Sequence, residues 1–424
     1  MEATVRLEHD LLALDGEHDV HVMLELAVPA AAHDAAREPL QLAVVLDRSG
    51  SMSGGPLRTV AQAAAYLVDR LQADDGVALV TYDDEAELIA PLGADRATAL
   101  AALRAVTSGG MTNLSGGWLL GREQLATVTG ARRILLLTDG QANRGITDDA
   151  TLAALVGAAA GEGIGTTCIG VGEHFNEDLL GHLADAAGGN YRFLERADDA
   201  PQAFAEEFTD LVALVAQNVS VEVRPHPAVE VLGVLNDLPS TPVDGGVRIQ
   251  IGDAYAGQRR RVVLRLHVPS LAAVGPVTIA ELVLRHVSVG AQIEQRSVTL
   301  PVLVNLVSAD EAAAAAADAE VVEEVHVLTA AQIAEDAKRR ADAGDHDGAA
   351  RLLREASEMI GQNGDDAEHQ ALSASWALMS QDIAADGMTG LNRKQLHQQV
   401  NQTRTRKSPR RGDSQQPPDS PSSS

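Results

Sequence analysis

Residues Val44–Gly55, VVLDRSGSMSGG, decide how the rest of the chain is read. Val44, Val45 and Leu46 run as β-formers into Asp47, and Ser49 and Ser51 follow on alternate positions among glycines. The pattern reads as a buried strand ending in a short Gly-rich loop that carries one carboxylate and two hydroxyls. In open α/β sheets, ligands bind at the carboxyl ends of the strands, where strand order reverses. The stretch therefore puts oxygen-bearing side chains where such a sheet would use them.

Outward from this stretch, strand and helix patterns alternate. LQLAVVL from Leu40 is a nearly continuous apolar run, as expected of a strand covered on both faces. Residues 56–72 read as a helix with Pro56 in its first turn. GVALVTY and EAELIAPL read as strands, residues 95–106 and 115–128 as helices, and RRILLLTDG, 132–140, as a second buried strand ending in Asp-Gly. A helix near 147–162, a buried strand IGTTCIGVG, a helix at 176–187, a short strand NYRFL and a helix at 198–216 follow. This alternation predicts a doubly wound, mostly parallel sheet.

Two further loops bear on the chemistry. SGGMTNLSGG offers Thr112, and LLLTDG offers Asp139. Hard divalent cations take oxygen ligands, and Mg²⁺ prefers six in near-octahedral geometry with some waters retained. Hydroxyls from Ser49, Ser51 and Thr112 would supply neutral oxygens, and Asp47 and Asp139 would supply charge. With few carboxylates, such an ion stays electrophilic and seeks an anion as its last ligand.

DRSGSM, the loop threonine and the strand-ending TDG together resemble a von Willebrand factor type A domain over roughly residues 40–217. GVGEHFNEDLLGHLADAAGGNYRFL resembles that family's last strand–helix–strand. The resemblance implies a metal-ion-dependent adhesion site with Asp47, Ser49, Ser51, Thr112 and Asp139 as ligands and Mg²⁺, or Mn²⁺, as the ion. It implies an adhesive role, in which a protein partner supplies an Asp or Glu to the metal, and no catalytic role.

On either side the period changes to two. Residues 3–28 read as two strands joined at Asp15-Gly16, a strong hairpin dipeptide. Val20, Val22, Leu24, Leu26 and Val28 share one face there, with His21 and Glu25 on the other. Residues 29–39 read as a linker. Six more strands are expected between 219 and 306, with Val262, Leu264, Leu266 and Val268 facing away from Arg261, Arg265 and His267. Eight strands without matching helices need a sheet-on-sheet arrangement. The expected fold is thus an α/β type A domain, 40–217, inserted into an antiparallel β-sandwich begun in 1–39 and completed in 218–306. The arrangement resembles the hybrid domain of integrin β-subunits and bacterial intracellular A-domain proteins.

Ser308 with Glu311 three residues on forms a capping box, and it opens a helical region, 307–387. Within it, 341–360 reads as a helical hairpin of the tetratricopeptide kind. Residues 388–424 end in Pro, Ser and Gln and read as a disordered basic tail. From Met388 on there are seven basic residues against two acidic, a net +5 that leaves −32 for residues 1–387. That asymmetry reads as a solubilising tail, with an electrostatic tether, within the chain or to an acidic partner, as the alternative.

Composition narrows the function classes. Net charge is −27, which argues against nucleic acid or an anionic membrane as partner. Aromatics are 2% of residues, so the core must be mostly Ala, Val, Leu and Ile. The single cysteine, Cys168, excludes an internal disulfide and reads as a core thiol. No apolar run approaches the ~20 residues of a membrane span, and no leader pattern opens the sequence. A cytoplasmic protein is expected. The histidines show no metal-ligand spacing and read as surface residues. Asp83 and Asp84 read as a solvated turn, and Arg411-Gly412-Asp413 as a chance tripeptide. The dipeptide Gly-Lys never occurs and no G-x-S-x-G is present, which excludes a P-loop and a serine-hydrolase elbow. The alternative to a protein-binding scaffold is a metal-dependent hydrolase or phosphotransferase using Asp47. That pattern wants a second Asp where Ser49 stands.

Overall fold

The computed structural model describes residues 1–30, 38–172, 174–271, 274–288, 294–363 and 367–405. The chain opens with β1 (Glu2–Leu7), β2 (Leu11–Ala13) and β3 (His18–Ala27). The expected two-stranded hairpin is corrected here. β1 pairs antiparallel with β3, while β2, next to the Asp15-Gly16 turn, leaves to pair elsewhere. A three-residue strand is too short to hold a hairpin by itself, so its register follows the sheet that receives it.

The chain then enters the α/β unit: β4 (Leu40–Asp47), α1 (Gly55–Arg70), β5 (Gly76–Tyr82), β6 (Ala86–Ala90), α2 (Arg96–Ala105), α3 (Leu114–Leu125), β7 (Ala131–Thr138), α4 (Asp149–Gly161), β8 (Ile164–Val171), α5 (Glu177–Ala186), β9 (Tyr191–Leu194) and α6 (Ala200–Val212). The sheet order is β6-β5-β4-β7-β8-β9, parallel except for the antiparallel edge strand β6. Apolar clusters cover both of its faces, which explains the continuous apolar runs of β4, β7 and β8. Strand order reverses between β4 and β7, so the loops after these two strands flank the switch point.

α6 ends at Val212, short of the expected 216, because Leu214 already pairs with Tyr255. The strands that follow are β10 (Leu214–Pro225), β11 (Glu230–Val234), β12 (Ser240–Val243), β13 (Gly246–Tyr255), β14 (Arg259–Val268), β15 (Gly275–Ser288) and β16 (Glu294–Val307). Among the described residues ten strands, where eight were expected, form two sheets, β1-β3-β14-β11 and β12-β13-β10-β15-β16-β2. Val20, Val22, Leu24 and Leu26 of β3 pack in one apolar core with Val262, Leu264 and Leu266 of β14 and with Val221, Ile249, Leu282 and Val304 of the other sheet. The N-terminal strands thus pair within sheets made mostly by residues beyond 214, and the α/β unit lies between them in sequence.

The two parts are welded by buried charge. Arg133 of β7, 0% exposed, forms an ion pair with Asp253 of β13, and Arg260 donates to the Asp253 carbonyl. Asn218 donates to the same carboxylate at 3.1 Å. Gly188 and Gly252 meet here, and a Cβ on Gly188 would lie 2.9 Å from the Gly252 Cα. Both have positive φ, so close approach and left-handed backbone alike require glycine.

The C-terminal helices are α7 (Ala309–Ala314), α8 (Ala319–Asp342), α9 (His346–Asn363), α10 (Ala367–Asp386) and α11 (Gly390–Thr405). The Ser308–Glu311 capping box caps α7. α8 covers the outer face of the four-stranded sheet, where Val321 and Leu328 meet Met23 and Val263. α11 corrects the expectation of disorder from 388 on. Residues 390–405 are helical and dock on the α/β unit. Residues 406–424, with the Arg-Gly-Asp tripeptide, lie outside the described residues, as do linker residues 31–37. The reading of all histidines as surface residues also fails, since His369 and His397 are 4% and 9% exposed.

Candidate metal centre

β4 runs straight into the site. Asp47 is its last residue and is fully buried, with both carboxylate oxygens held. Oδ1 accepts from the Ser49 backbone N–H at 2.8 Å, and Oδ2 accepts from the Thr138 hydroxyl at 2.6 Å. Ser49 caps a single 3₁₀ turn, Gly50–Met52, and Ser51 lies within it, so their hydroxyls sit 3.1 Å apart. Ser51 then donates to Asp139 Oδ1 at 2.7 Å. Asp139 follows β7, the strand next to β4, so neighbouring strands deliver the two carboxylates to one rim.

Thr112 arrives from a third loop. Its backbone N–H donates to Asn143 Oδ1 at 2.9 Å, and Asn143 N–H returns a bond to the Thr112 carbonyl. The Gly50 N–H donates to the Gly110 carbonyl, and the Gly109 N–H to the Arg48 carbonyl, which clamps this loop to the first. A Cβ placed on Gly140 would lie 3.2 Å from Thr112 Oγ1, 3.7 Å from Ser51 Oγ and 3.8 Å from Asp47 Oδ2. Oxygens from three loops thus converge on one small space that the absence of a side chain at 140 leaves open. All five residues singled out in the sequence come together.

The electrostatics are those of a site short of positive charge. Burial pushes the Asp47 carboxyl up to about 6, against hydrogen bonds from Thr138 and Ser49 that lower it, while the Asp139 charge adds to the rise. Burial also raises Asp139, opposed by the Ser51 hydrogen bond. The guanidinium of Arg48 is turned away to Asp83 at 3.0 Å and Glu87 at 2.9 Å. Two carboxylates and three hydroxyls are a donor set that suits a hard divalent cation. Among the described residues no group of three or more His, Cys, Asp or Glu side chains converges, so a cation bound at this rim would need the hydroxyls.

Several residues that shape the site were missed in the sequence. Thr138 orients Asp47, Asn143 fixes Thr112, and Arg48 with Asp83 braces the first loop. Asp84, read as a solvated turn, pairs with Arg144 at 2.9 Å. Thr138 and Asn143 lie beside or near Asp139 in LTDGQAN, but only the fold shows what they touch. Cys168 is buried in β8 and burial raises its thiol far above the ordinary range.

Comparison with known proteins agrees with the geometry. The von Willebrand factor type A domain profile matches residues 41–207, and the chain carries such a domain. The uncharacterized protein sll0103 of Synechocystis is 28% identical over 376 residues, covering 83% of this chain and 87% of that protein. Among solved structures, a von Willebrand factor type A protein from Catenulispora acidiphila superposes with a TM-score of 0.73 at 18% identity, covering 94% of this chain and 96% of that one. The ArnB paralog VWA2 from Sulfolobus acidocaldarius gives 0.66 at 15% identity, covering 95% and 97%. At these identities the structures show a shared fold across nearly the whole chain. Among the described residues no helix is long and apolar enough to cross a membrane.

Proposed function

We propose that the chain is a cytoplasmic scaffold whose type A domain holds Mg²⁺, or Mn²⁺, between Asp47, Ser49, Ser51, Thr112 and Asp139, and captures an Asp or Glu side chain of a protein partner. The observation that carries this reading is the convergence of two raised carboxylates and three hydroxyls on one rim. When bound, the ion supplies an electrophilic position for an outside carboxylate. The chain's own part is positional. Thr138 and the Ser49 N–H fix Asp47, Asn143 fixes Thr112, and the glycine at 140 leaves the space open.

The alternative, with Asp47 as a nucleophile, finds no support in the geometry. Both of its oxygens are engaged and its side chain is fully buried, whereas an attacking carboxylate needs a free face toward its substrate.

The test has two arms. Calorimetric titration of the purified chain with Mg²⁺ or Mn²⁺ should show one site, abolished in Asp47→Ala. A partner captured in Mg²⁺ and then titrated should lose affinity in EDTA and in Ser49→Ala and Thr112→Ala. Equal partner affinity with and without EDTA would place binding elsewhere and overturn the adhesive reading.

A further inference from the structure

The two sheets that share the period-two core differ on the side turned away from it. Outside the four-stranded sheet lies α8. Its Val321 and Leu328 meet Met23 and Val263, and its carboxylates meet guanidiniums of the sheet. Arg261 of β14 reaches Glu324 at 3.2 Å and Glu320 at 3.5 Å, and Arg6 of β1 reaches Asp318 at 2.8 Å and Glu320 at 2.5 Å. An acidic helix with apolar side chains is what this chain itself lays on an arginine-bearing sheet face.

Outside the six-stranded sheet, among the described residues, no helix packs along β10, β13 or β15. The register shows what that side carries. Thr241, Arg248, Glu222, Val283 and Thr299 stand opposite one another across β12, β13, β10, β15 and β16, so their side chains share one side of the sheet. Arg224 and Arg285 lie two residues on from Glu222 and Val283, hence on the same side. The other side is the core, with Val221, Val223, Leu282 and Leu284.

Three guanidiniums share one carboxylate here. Arg224 holds Glu222 Oε1 from Nε at 2.7 Å and from Nη2 at 2.6 Å. Arg248 and Arg285 each reach only Oε2, at 3.4 Å. Among the described residues neither has a second carboxylate within ion-pair distance, and Glu281, opposite Arg224, pairs with none of the three. With Glu281 counted the face is still net positive, in a chain of net charge −27. The three arginine side chains are 37–44% exposed. An arginine has five N–H donors, and Arg248 and Arg285 each spend at most one on Glu222. Apolar surface is present too. Val283 lies in the same row at 4% exposure, and Leu303 of β16, between the core residues Val302 and Val304 and so on the outer side, is 49% exposed.

We propose that this face docks an acidic amphipathic helix of a protein partner, with carboxylates at i and i+4 pairing with Arg248 and Arg285 and an apolar stripe lying over the arginine stems and Leu303. That spacing puts both carboxylates on one side of a helix, as Glu320 and Glu324 stand in α8. The chain's net negative charge disfavours an acidic helix elsewhere on its surface, so charge complementarity directs it here. The site is separate from the metal centre and needs no metal ion.

The test uses the purified full chain and fluorescence anisotropy with labelled peptides of about 20 residues, long enough to form a helix. The acidic probe repeats Glu-Ala-Ala-Leu-Glu-Ala-Ala. One counterpart has Lys for every Glu, and another has Pro at the third position of each repeat, which keeps the charge and removes the helix. At ~50 mM salt the acidic helix should bind saturably, more tightly than both counterparts and equally in Mg²⁺ and in EDTA. Its affinity should fall about tenfold in Arg248→Gln/Arg285→Gln. In Thr299→Glu, which adds a like charge to the row, it should fall about threefold. These side chains reach solvent, so the unfolding midpoint should hold; if that of the double variant drops, Thr299→Glu decides alone. No saturable binding of the acidic helix, equal affinity for either counterpart, or affinity unchanged in the variants would overturn the proposal. So would displacement of the probe by inorganic phosphate at an ionic strength where chloride leaves it bound, the mark of a phosphate site, or loss of binding in EDTA, the mark of the metal centre.

Discussion

The loop end of the type A domain and its seam with α11 are both acidic, yet they are built on opposite principles. At the loop end, Asp47 and Asp139 have hydroxyls as partners and, among the described residues, no ion pair with a cation of the chain. Burial raises both carboxyls. At the seam, Glu177, Asp178 and Asp185 of α5 are met by the chain's own cations. Lys394 reaches Glu177 at 2.5 Å, Arg393 pairs with Glu177, Asp178 and Asp342, Lys338 of α8 reaches Asp178 at 3.0 Å, and Arg404 pairs with Asp185. Burial alone would raise Asp178, but Lys338 and Arg393 outweigh it and hold the carboxyl well below its ordinary range. A carboxylate cluster that is internally neutralised is structural. One left uncompensated is, on our proposal, where an outside ion would bind.

The sharpest way to break the contrast is to expose the seam's hidden charge. Lys394→Met leaves Glu177, 5% exposed, with only Arg393 in a buried setting. Removing one partner of a buried pair costs about 3–5 kcal/mol. The loss should appear in urea unfolding, and a change under ~1 kcal/mol would show that the pair is solvated after all.

Supplying Mg²⁺ tests the other end. At a concentration 100 times Kd, Mg²⁺ should stabilise the protein by about 2.7 kcal/mol, read as a raised melting temperature relative to EDTA. Asp47→Ala should remove that response while leaving the seam untouched. A variant that still responds like the parent would remove Asp47 from the ligand set.

Acid should loosen the seam by a smaller amount. Burial pushes His397 down to about 3, with Lys338 adding to the fall and Asp178 opposing it. The groups facing it are Lys338 of α8, Asp178 of α5, Tyr191 of β9, and Arg393 and Arg404 of its own helix. Lys338 donates to Nδ1 of the ring at 2.9 Å, which requires the neutral form. The folded pKa lies below the unfolded one, so this contribution is complete above pH ~6.5 and is lost as pH falls toward 3. That of Asp178 follows below pH ~4. Between pH 7.5 and 4.5 in EDTA the parent should lose about 2 kcal/mol relative to His397→Gln, a difference from which the opposite, stabilising protonation of the raised Asp47 and Asp139 carboxyls cancels. Stability that rises on acidification equally in both proteins would contradict it.

The smallest effect is expected where both charges are wet. Arg144 and Asp84, 45% and 43% exposed, brace the loop rim from outside. Arg144→Ala should cost under ~1 kcal/mol and leave the metal response intact. A large loss of Mg²⁺ response would mean that this pair positions Thr112.

The site was legible because its residues mark themselves locally. Asp47, Ser49 and Ser51 sit on one loop, and Thr112 and Asp139 each lie beside a strand or helix boundary that the apolar pattern announces. The helpers were not legible. Thr138 and Asn143 act through bonds across loops 91 and 31 residues apart in sequence, and nothing in their own neighbourhood distinguishes them. The pairing of β1 with β3, and the departure of β2 to β16, were hidden for the same reason. Period two says which face is buried but not which strand receives it.

By itself the sequence determined the periodicities: a βα-alternating centre, period-two flanks and a helical C-terminal part, with five oxygen-bearing residues on loops that follow strands or precede a helix. These follow from local steric and hydrophobic patterning. The fate of the basic segment after Met388 was a tertiary decision. Polar and rich in Gln and Arg, residues 390–405 carry little apolar drive of their own and read as a tail. They form a helix because α5 and α8 present carboxylates to Arg393, Lys394 and Arg404, because Leu396 and Val400 are buried in the helical core, and because β9 offers an edge N–H to Gln398. Charges that attract water in an isolated chain become partners only once the fold has brought the opposite charges to them.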